Sequence, residues 1–209
     1  MTESFNELGI NEKLIEGLKK VDISVPTEIQ TKTIPVILQK KDLIGQSETG
    51  SGKTLAYLLP IFQNIIPGPG IQALILAPTH ELSSQIKSET ELLARNSNLP
   101  VTFALIIGDV NIIRQIDKLK QKPNIIIGSA GRILELIEKG KIKTQTVKTI
   151  VIDEADRMLD IKNFSSVKKI IKGIQTGKQV LLYSASISNM TIETAKEIIN
   201  EPEIIKAEA

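Results

Sequence analysis

A glycine-rich stretch in the first third of the chain has the residue types of a phosphate-binding loop. It reads GQSETGSGKT over residues 45–54, follows a short apolar stretch and precedes a run predicted to be a helix over residues 55–66. Glycines let the backbone bend so that successive N–H groups face phosphate oxygens, and a helix N-terminus adds donors and partial positive charge. The predicted nucleotide-binding residues of this loop are Ser47, Glu48, Thr49, Gly50, Ser51, Gly52, Lys53 and Thr54.

Two residues at the end of this loop predict specific chemistry. Lys53 can reach the β- and γ-phosphates of a nucleotide, and the Thr54 hydroxyl can ligate Mg²⁺. In the pattern G-x-x-x-x-G-K-[ST] the first glycine falls on Ser47. An ordinary Gly/Ser turn is the alternative for this stretch taken by itself.

A second motif places carboxylates at the end of an apolar strand. Residues 149–156 read TIVIDEAD. Asp153 is the predicted Mg²⁺ anchor, directly or through water, and Glu154 is the predicted general base toward an attacking water. The alternative is an acidic helix N-terminus that offsets the helix dipole. Both motifs in one chain favour Mg²⁺-dependent nucleotide hydrolysis.

Apolar runs and helical runs alternate through the rest of the chain, which predicts a mostly parallel sheet with helices on both faces. Strands are predicted at residues 73–77, 101–107, 125–127, 149–152 and 179–183. Helices are predicted at residues 81–96, 111–120, 132–139, 165–174 and 192–199, after two N-terminal helices with Asn11 and Thr27 as caps. Ligands bind at the carboxyl ends of the strands in such a sheet.

Composition limits the protein class. The chain has 209 residues, within the range of one domain, and a net charge of +2 that decides nothing about nucleic acid. It has no cysteine, hence no disulfide and no thiolate metal site, and no apolar run of membrane-spanning length. A monomeric, cytoplasmic protein is expected. Aromatic residues make up 3% of the chain, so an aromatic stacking platform for nucleic acid is not expected.

The tetrad Asp153-Glu154-Ala155-Asp156, with its flanks and the loop at residues 46–54, resembles the DEAD-box RNA helicases. The resemblance extends from Phe5 to about Ile205 and corresponds to the first of two RecA-like domains. It implies a single RecA-like P-loop NTPase domain over residues 1–209, with a Q-motif helical region at 1–40 and the P-loop core at 41–209. It further implies ATP, Mg²⁺ and RNA as ligands and ATP-driven RNA unwinding as the family activity.

The resemblance assigns roles outside the two motifs. The segment at residues 26–30, PTEIQ, resembles the adenine-reading Q motif, so Gln30 is expected to give ATP preference; a solvent-facing helix residue is the alternative. Phe5 stands where the family places an aromatic that stacks on the base. Ser184 or Ser186, in a segment that resembles motif III, is expected to hold Asp156 and to couple nucleotide state to RNA; these serines also fit a plain helix cap.

Three segments are expected to face RNA by the same resemblance, through backbone N–H groups, hydroxyls and arginine. Each departs from the family pattern: His80 replaces an arginine, Asp109 a glycine, and the segment at residues 129–132 reads SAGR. These changes weaken phosphate binding or are neutral surface changes; both interpretations stay open. The predicted RNA-binding residues are Pro78, Thr79, His80, Gly108, Ser129, Gly131 and Arg132.

The family's second RecA-like domain, with its arginine fingers and half of the RNA groove, is expected beyond Ala209, whether the chain is an excised domain or a natural truncation. Residues 1–209 are therefore expected to bind ATP, to bind RNA weakly, and to unwind nothing alone. Two other interpretations remain: a nucleotide-dependent RNA-binding or interaction module without its own turnover, and a P-loop ATPase that acts on DNA or protein. The Q-motif resemblance and the tetrad speak against the last.

Overall fold

A computed structural model describes residues 3–68, 70–175 and 177–208 of the chain. Its strands form one seven-stranded sheet in which every pair is parallel. The strands are β1 Leu43–Gln46, β2 Ala73–Leu76, β3 Phe103–Ile106, β4 Ile125–Gly128, β5 Thr149–Ile152, β6 Gln179–Ser184 and β7 Glu203–Lys206. The predicted parallel α/β fold is confirmed.

The helices of the described residues connect these strands. They are α1 Glu12–Lys19, α2 Glu28–Leu38, α3 Lys53–Asn64, α4 His80–Ser97, α5 Ile112–Leu119, α6 Ala130–Glu138, α7 Ala155–Met158, α8 Ile161–Lys172 and α9 Asn189–Ala195. Asn11 caps α1 as predicted, since its side chain accepts a hydrogen bond from the Leu14 N–H. No helix within the described ranges is long and apolar enough to cross a membrane.

The sequence-based boundaries differ from the structure at three places. Helix α3 begins at Lys53 and not at residue 55, because Gly52 takes the left-handed conformation at φ +90° and the helix starts directly after it. Helix α7 is a single turn, too short to show a period. Strand β7 was not predicted, because it is a four-residue edge strand whose side chains alternate between half-buried and exposed.

The strand order across the sheet is β3-β4-β2-β5-β6-β1-β7. Because all strands are parallel, their carboxyl ends lie along one edge of the sheet. Strands β1, β6 and β5 are consecutive there, and so are β2, β4 and β3. The edge therefore has a β1–β6–β5 half and a β2–β4–β3 half, and each chemical motif of the sequence follows a strand of one half or the other.

Alternate residues of the strands face two separate apolar cores, one on each side of the sheet. On one side Leu43, Ile75 and Val151 pack with helices α1 to α4. On the other side Ile44 and Leu74 pack with α6 and α8. Fully burying one such aliphatic side chain contributes roughly 1.5–3 kcal/mol, so both cores anchor the strand ends that carry the motifs.

Candidate functional site

The sheet brings three segments together at the β1–β6–β5 half of its edge. The glycine-rich loop follows β1, the Ser184–Ser186 segment ends β6, and the acidic tetrad follows β5. Registered pairs such as Gln46 beside Ser184 keep these strand ends level. Residues that are more than 100 positions apart in sequence thus share one site.

The loop has the backbone geometry of an anion-binding turn. Gly50 and Gly52 have φ values of +82° and +90°, a region that favours glycine. A Cβ on Gly52 would lie 2.5 Å from the Gln30 Nε2 atom, so glycine is required there on steric grounds as well. A Cβ on Gly50 would meet no atom within 4 Å. The loop is therefore open at Gly50 and closely packed at Gly52.

Lys53 donates within the loop, to the carbonyl oxygens of Ser47 at 2.6 Å and Glu48 at 3.2 Å. Burial lowers the pKa of this ammonium, while the charges of Asp153, Glu154 and Asp156 oppose that shift. The loop is also closed on itself through the hydroxyls of Ser47 and Ser51, 2.6 Å apart. The lysine thus lies between loop carbonyls and the carboxylates of the tetrad.

Asp153 is buried, with 4% of its surface exposed, and both its oxygens are hydrogen-bonded. The Tyr57 hydroxyl donates to Oδ2 at 2.9 Å, and the Glu154 N–H donates to Oδ1 at 2.9 Å. Burial raises the pKa of this carboxyl group, and these two hydrogen bonds and Lys53 oppose the rise. A buried carboxylate aimed at a cavity is costly without a cation, which fits the predicted role of a metal anchor.

Glu154 occupies a strained backbone position, at φ +48°, directly before α7. Its Oε2 atom is 3.0 Å from Nη1 of Arg157. Arg157 is largely exposed, so this ion pair is weak and exchangeable. The carboxylate is available to a water in the adjacent cavity once the pair opens.

A cavity of about 320 Å³ lies between the loop, the tetrad and helix α4. Fourteen residues line it: Thr49, Gly50, Gly52, Lys53, Thr54, Leu55, Leu82, Gln85, Glu89, Asp153, Glu154, Asp156, Arg157 and Ala185. The polar side chains of α4 in this wall, Gln85 and Glu89, were not predicted. Burial raises the pKa of the Glu89 carboxyl group, opposed by hydrogen bonds with Thr54 and Gln85. Helical spacing puts both on one face of α4, but no motif marked them.

The tetrad and the β6 segment are joined by hydrogen bonds. The Ser186 hydroxyl donates to Oδ2 of Asp156 at 3.2 Å, and the Asp156 N–H donates to the Ser184 hydroxyl at 3.4 Å. Both serines of the predicted coupling segment therefore contact Asp156. A shift of the β6 end would move the tetrad with it.

Gln30 is buried and serves the chain's own backbone. Its Oε1 accepts from the Thr27 N–H at 3.0 Å, and its Nε2 donates to the Gly52 carbonyl at 3.0 Å. It thereby ties the start of α2 to the loop, and a solvent-facing Gln30 is excluded. Phe5 lies in the apolar core with 2% of its surface exposed. Its ring has no free face for a base in this structure.

A second cavity, of about 370 Å³, lies between the start of α2 and the other side of the loop. Its walls include Thr27, Glu28 and Ile29 of the Q-motif segment and Glu48 to Ser51 of the loop. It is next to Gln30 although Gln30 does not line it. The two cavities meet the loop from opposite sides, so a molecule bound across the loop can reach both.

The three predicted RNA segments lie together at the β2–β4–β3 half of the edge. Thr79 caps α4 and accepts from the Leu82 N–H at 3.1 Å; Pro78 precedes it and His80 is exposed. Gly108 follows β3 and Gly131 lies in the first turn of α6, and a Cβ on either would meet nothing within 4 Å. Ser129 precedes α6 without a side-chain capping bond. This face is open.

Arg132 is the exception on this face. Its guanidinium donates to the carbonyl oxygens of Gly108 at 2.5 Å and Val110 at 2.9 Å, and its Nε lies 3.0 Å from Glu135. The side chain is 15% exposed. The predicted phosphate ligand is thus engaged with the protein itself.

Comparison with known proteins places the chain. The family model described as DEAD/DEAH box helicase matches residues 27–195. The chain is 36% identical over 207 residues to the DEAD-box ATP-dependent RNA helicase CshA of Geobacillus kaustophilus, covering 99% of this chain and 44% of that protein. It is 39% identical over 194 residues to CshC of Bacillus cereus, covering 92% of this chain and 49% of that protein.

A solved structure shows the same fold. The crystal structure of a DEAD box protein from the hyperthermophile Methanococcus jannaschii matches with a TM-score of 0.92 and 34% identity, over 99% of this chain and 57% of that one. The chain spans less than half the length of the relatives it matches in sequence. With this family match over most of its length, the chain belongs to the DEAD/DEAH box helicases.

Proposed function

We propose that this chain is the ATP-binding domain of an ATP-dependent RNA helicase, which uses ATP and Mg²⁺ to remodel RNA. One observation carries the proposal: the glycine-rich loop, the buried Asp153 and Glu154 share one cavity at the end of adjacent strands. The names of the relatives, which are RNA helicases, support it.

Each residue of the cavity has a role in this proposal. Loop N–H groups and Lys53 hold the phosphates, and Lys53 exchanges its contacts with the Ser47 and Glu48 carbonyls for phosphate oxygens. Thr54 and Asp153 hold Mg²⁺, which neutralises charge on the phosphates. Glu154 leaves Arg157 and accepts a proton from the attacking water.

The RNA and the second domain complete the proposal. RNA lies along the β2–β4–β3 half, where Thr79, Ser129 and the open glycines offer donors to phosphates. Asp156, through Ser184 and Ser186, links the cavity to the β6 end, which a second RecA-like domain would contact. Since that domain supplies the arginine fingers, residues 1–209 alone should turn over little ATP and unwind no RNA.

Nucleotide choice tests the proposal. Calorimetric titration of residues 1–209 with ADP and with GDP, each with Mg²⁺, should show clear preference for ADP. Gln30→Ala should reduce that preference, because the start of α2 loses its link to the loop. Gln121→Ala, at an exposed position, is the matched control. Absence of binding to either nucleotide would refute the proposed function; equal affinity for both would remove Gln30 from its role.

A further inference from the structure

The turn after β3, residues 107–110, has its carbonyl oxygens held by two side chains from neighbouring helices. Gln115 of α5 donates through Nε2 to the carbonyls of Ile107 at 2.9 Å and Val110 at 3.0 Å. Arg132 of α6 donates to the carbonyls of Gly108 at 2.5 Å and Val110 at 2.9 Å. These two side chains, called the turn clamp below, reach the turn from separate elements.

Holding the carbonyls fixes where the N–H groups point. In a trans peptide the C=O of one residue and the N–H of the next are antiparallel, and the described residues contain no cis bond. With the carbonyls of Ile107 and Gly108 turned toward the clamp, the N–H groups of Gly108 and Asp109 face away from it. Among the hydrogen bonds of the described residues, neither N–H is a donor.

The surroundings leave these donors accessible. Gly108 and Asp109 are exposed, and a Cβ on Gly108 would meet no atom within 4 Å. Adjacent N–H groups with a common direction can hold an anion. Gly108 keeps the approach free of a side chain, whereas the Asp109 carboxylate stands beside it as a repulsive charge.

The clamp itself is not free to bind an anion. Gln115 is 1% exposed, and its Oε1 accepts from the Ile107 N–H at 2.9 Å. The Arg132 guanidinium contacts two carbonyls, and Glu135 pairs with its Nε at 3.0 Å. A phosphate that took Arg132 would have to break these contacts and release the turn.

We propose that Arg132 and Gln115 are positioning residues, which hold the turn so that the N–H groups of Gly108 and Asp109 bind a phosphate of RNA, and that Arg132 makes no RNA contact itself. The inference rests on the proposed RNA-binding function. It differs from the expectation that Arg132 grips phosphate. It also adds Gln115, a neutral and buried side chain.

Amide NMR of residues 1–209 tests this with weak ligands. Adding a ten-nucleotide oligouridine at low salt should shift the Gly108 and Asp109 amide resonances. In Gln115→Met and in Arg132→Gln those shifts should be lost, and RNA affinity should fall about tenfold, as expected for losing contacts to a charged phosphate. Arg114→Gln, which removes an exposed charge on α5, is the matched control and should keep the shifts.

The salt dependence separates positioning from direct contact. Each lost phosphate contact lowers the slope of log affinity against log salt by about 0.7 for a single strand. We expect the slope of Arg132→Gln to equal that of Gln115→Met and of the parent chain. A slope lower by about 0.7 in Arg132→Gln alone would mean that Arg132 binds phosphate, and would overturn the inference.

Further measurements keep the test decisive. Unchanged ADP affinity and melting temperature in both variants distinguish a local effect from general destabilisation. If either variant fails to fold, Glu135→Gln, which releases only the Nε contact, should give the same loss on a smaller scale. RNA-induced shifts at Thr79 and Ser129 without shifts at Gly108 and Asp109 would refute the clamp and leave the proposed function standing. Absence of shifts at all four residues would refute both.

Discussion

The two halves of the sheet edge offer different kinds of chemical groups. In the β1–β6–β5 half, charged side chains converge on a cavity: Lys53, the buried Asp153 and Glu154 lie within one wall. In the β2–β4–β3 half, no comparable cavity is lined by the predicted residues of the described chain. Its glycines are open to solvent, and the one arginine of its predicted set is engaged with backbone carbonyls.

The difference follows from what each proposed ligand requires. A nucleotide triphosphate with Mg²⁺ concentrates charge at one point, so it needs charges of opposite sign held in a water-poor site. A single strand of RNA presents phosphates at intervals, which backbone N–H groups and helix N-termini can bind along an open surface. Side-chain changes should therefore have large effects in the first half and small effects in the second.

The largest effect is expected at Glu154. In a two-domain helicase that contains this chain, Glu154→Gln should lower ATP turnover by roughly 10²- to 10⁴-fold, because an amide cannot accept the proton. ATP binding should persist, since the change is nearly isosteric. Steady-state phosphate release and equilibrium ATP binding measure the two, with the exposed Glu138→Gln as control. Turnover at the parental rate would place the base elsewhere.

Lys53→Ala should have the next largest effect, on binding. Removing a charge-assisted contact with phosphate should weaken ADP affinity by about 10- to 100-fold. Calorimetry with Mg²⁺ measures it, and Lys13→Ala, an exposed lysine of α1, is the control. RNA binding should not change. A variant that binds ADP like the parent would show that the lysine stays on the Ser47 and Glu48 carbonyls when nucleotide binds.

In the open half, a gain is expected. His80→Arg with Asp109→Gly adds two positive charges at exposed positions and should strengthen binding of a short single-stranded RNA about three- to tenfold at low salt. ADP affinity should stay the same. Fluorescence anisotropy measures it against Glu12→Gln with Glu16→Gln, which changes net charge equally on α1. Equal gains in both double variants would reduce the effect to net charge, and no gain would make the two departures neutral.

The smallest effect is one on stability. Asp153 is a buried carboxylate in a chelator-treated protein, so its desolvation opposes folding. Asp153→Asn should therefore raise the melting temperature by about 2–4 °C, the equivalent of about 1 kcal/mol in a domain of this size, while Mg²⁺-dependent ADP binding is lost. Scanning calorimetry in EDTA measures the shift, with Asp117→Asn as control. A lower melting temperature would mean that the Tyr57 and Glu154 hydrogen bonds outweigh the burial of charge.

Much of the nucleotide-binding half could be predicted from the sequence, because its chemistry is local. Residues 45–54 and 153–156 are contiguous, and glycine, lysine and aspartate at those spacings have few other uses. The alternation of apolar strands with helices likewise predicts a parallel sheet covered on both faces. The caps at Asn11 and Thr27 follow from side chains that bond within a few residues.

Tertiary structure decided what depends on distance in space. Strand order, which no local pattern encodes, puts β6 between β1 and β5 and divides the edge into two halves. Packing of α4 places Gln85 and Glu89 in the cavity wall, and burial turns Gln30 and Phe5 into parts of the protein interior. Arg132 shows the physical reason: a side chain binds whichever partner the fold brings nearest, and here the nearest are two carbonyls 22 and 24 residues earlier in the chain.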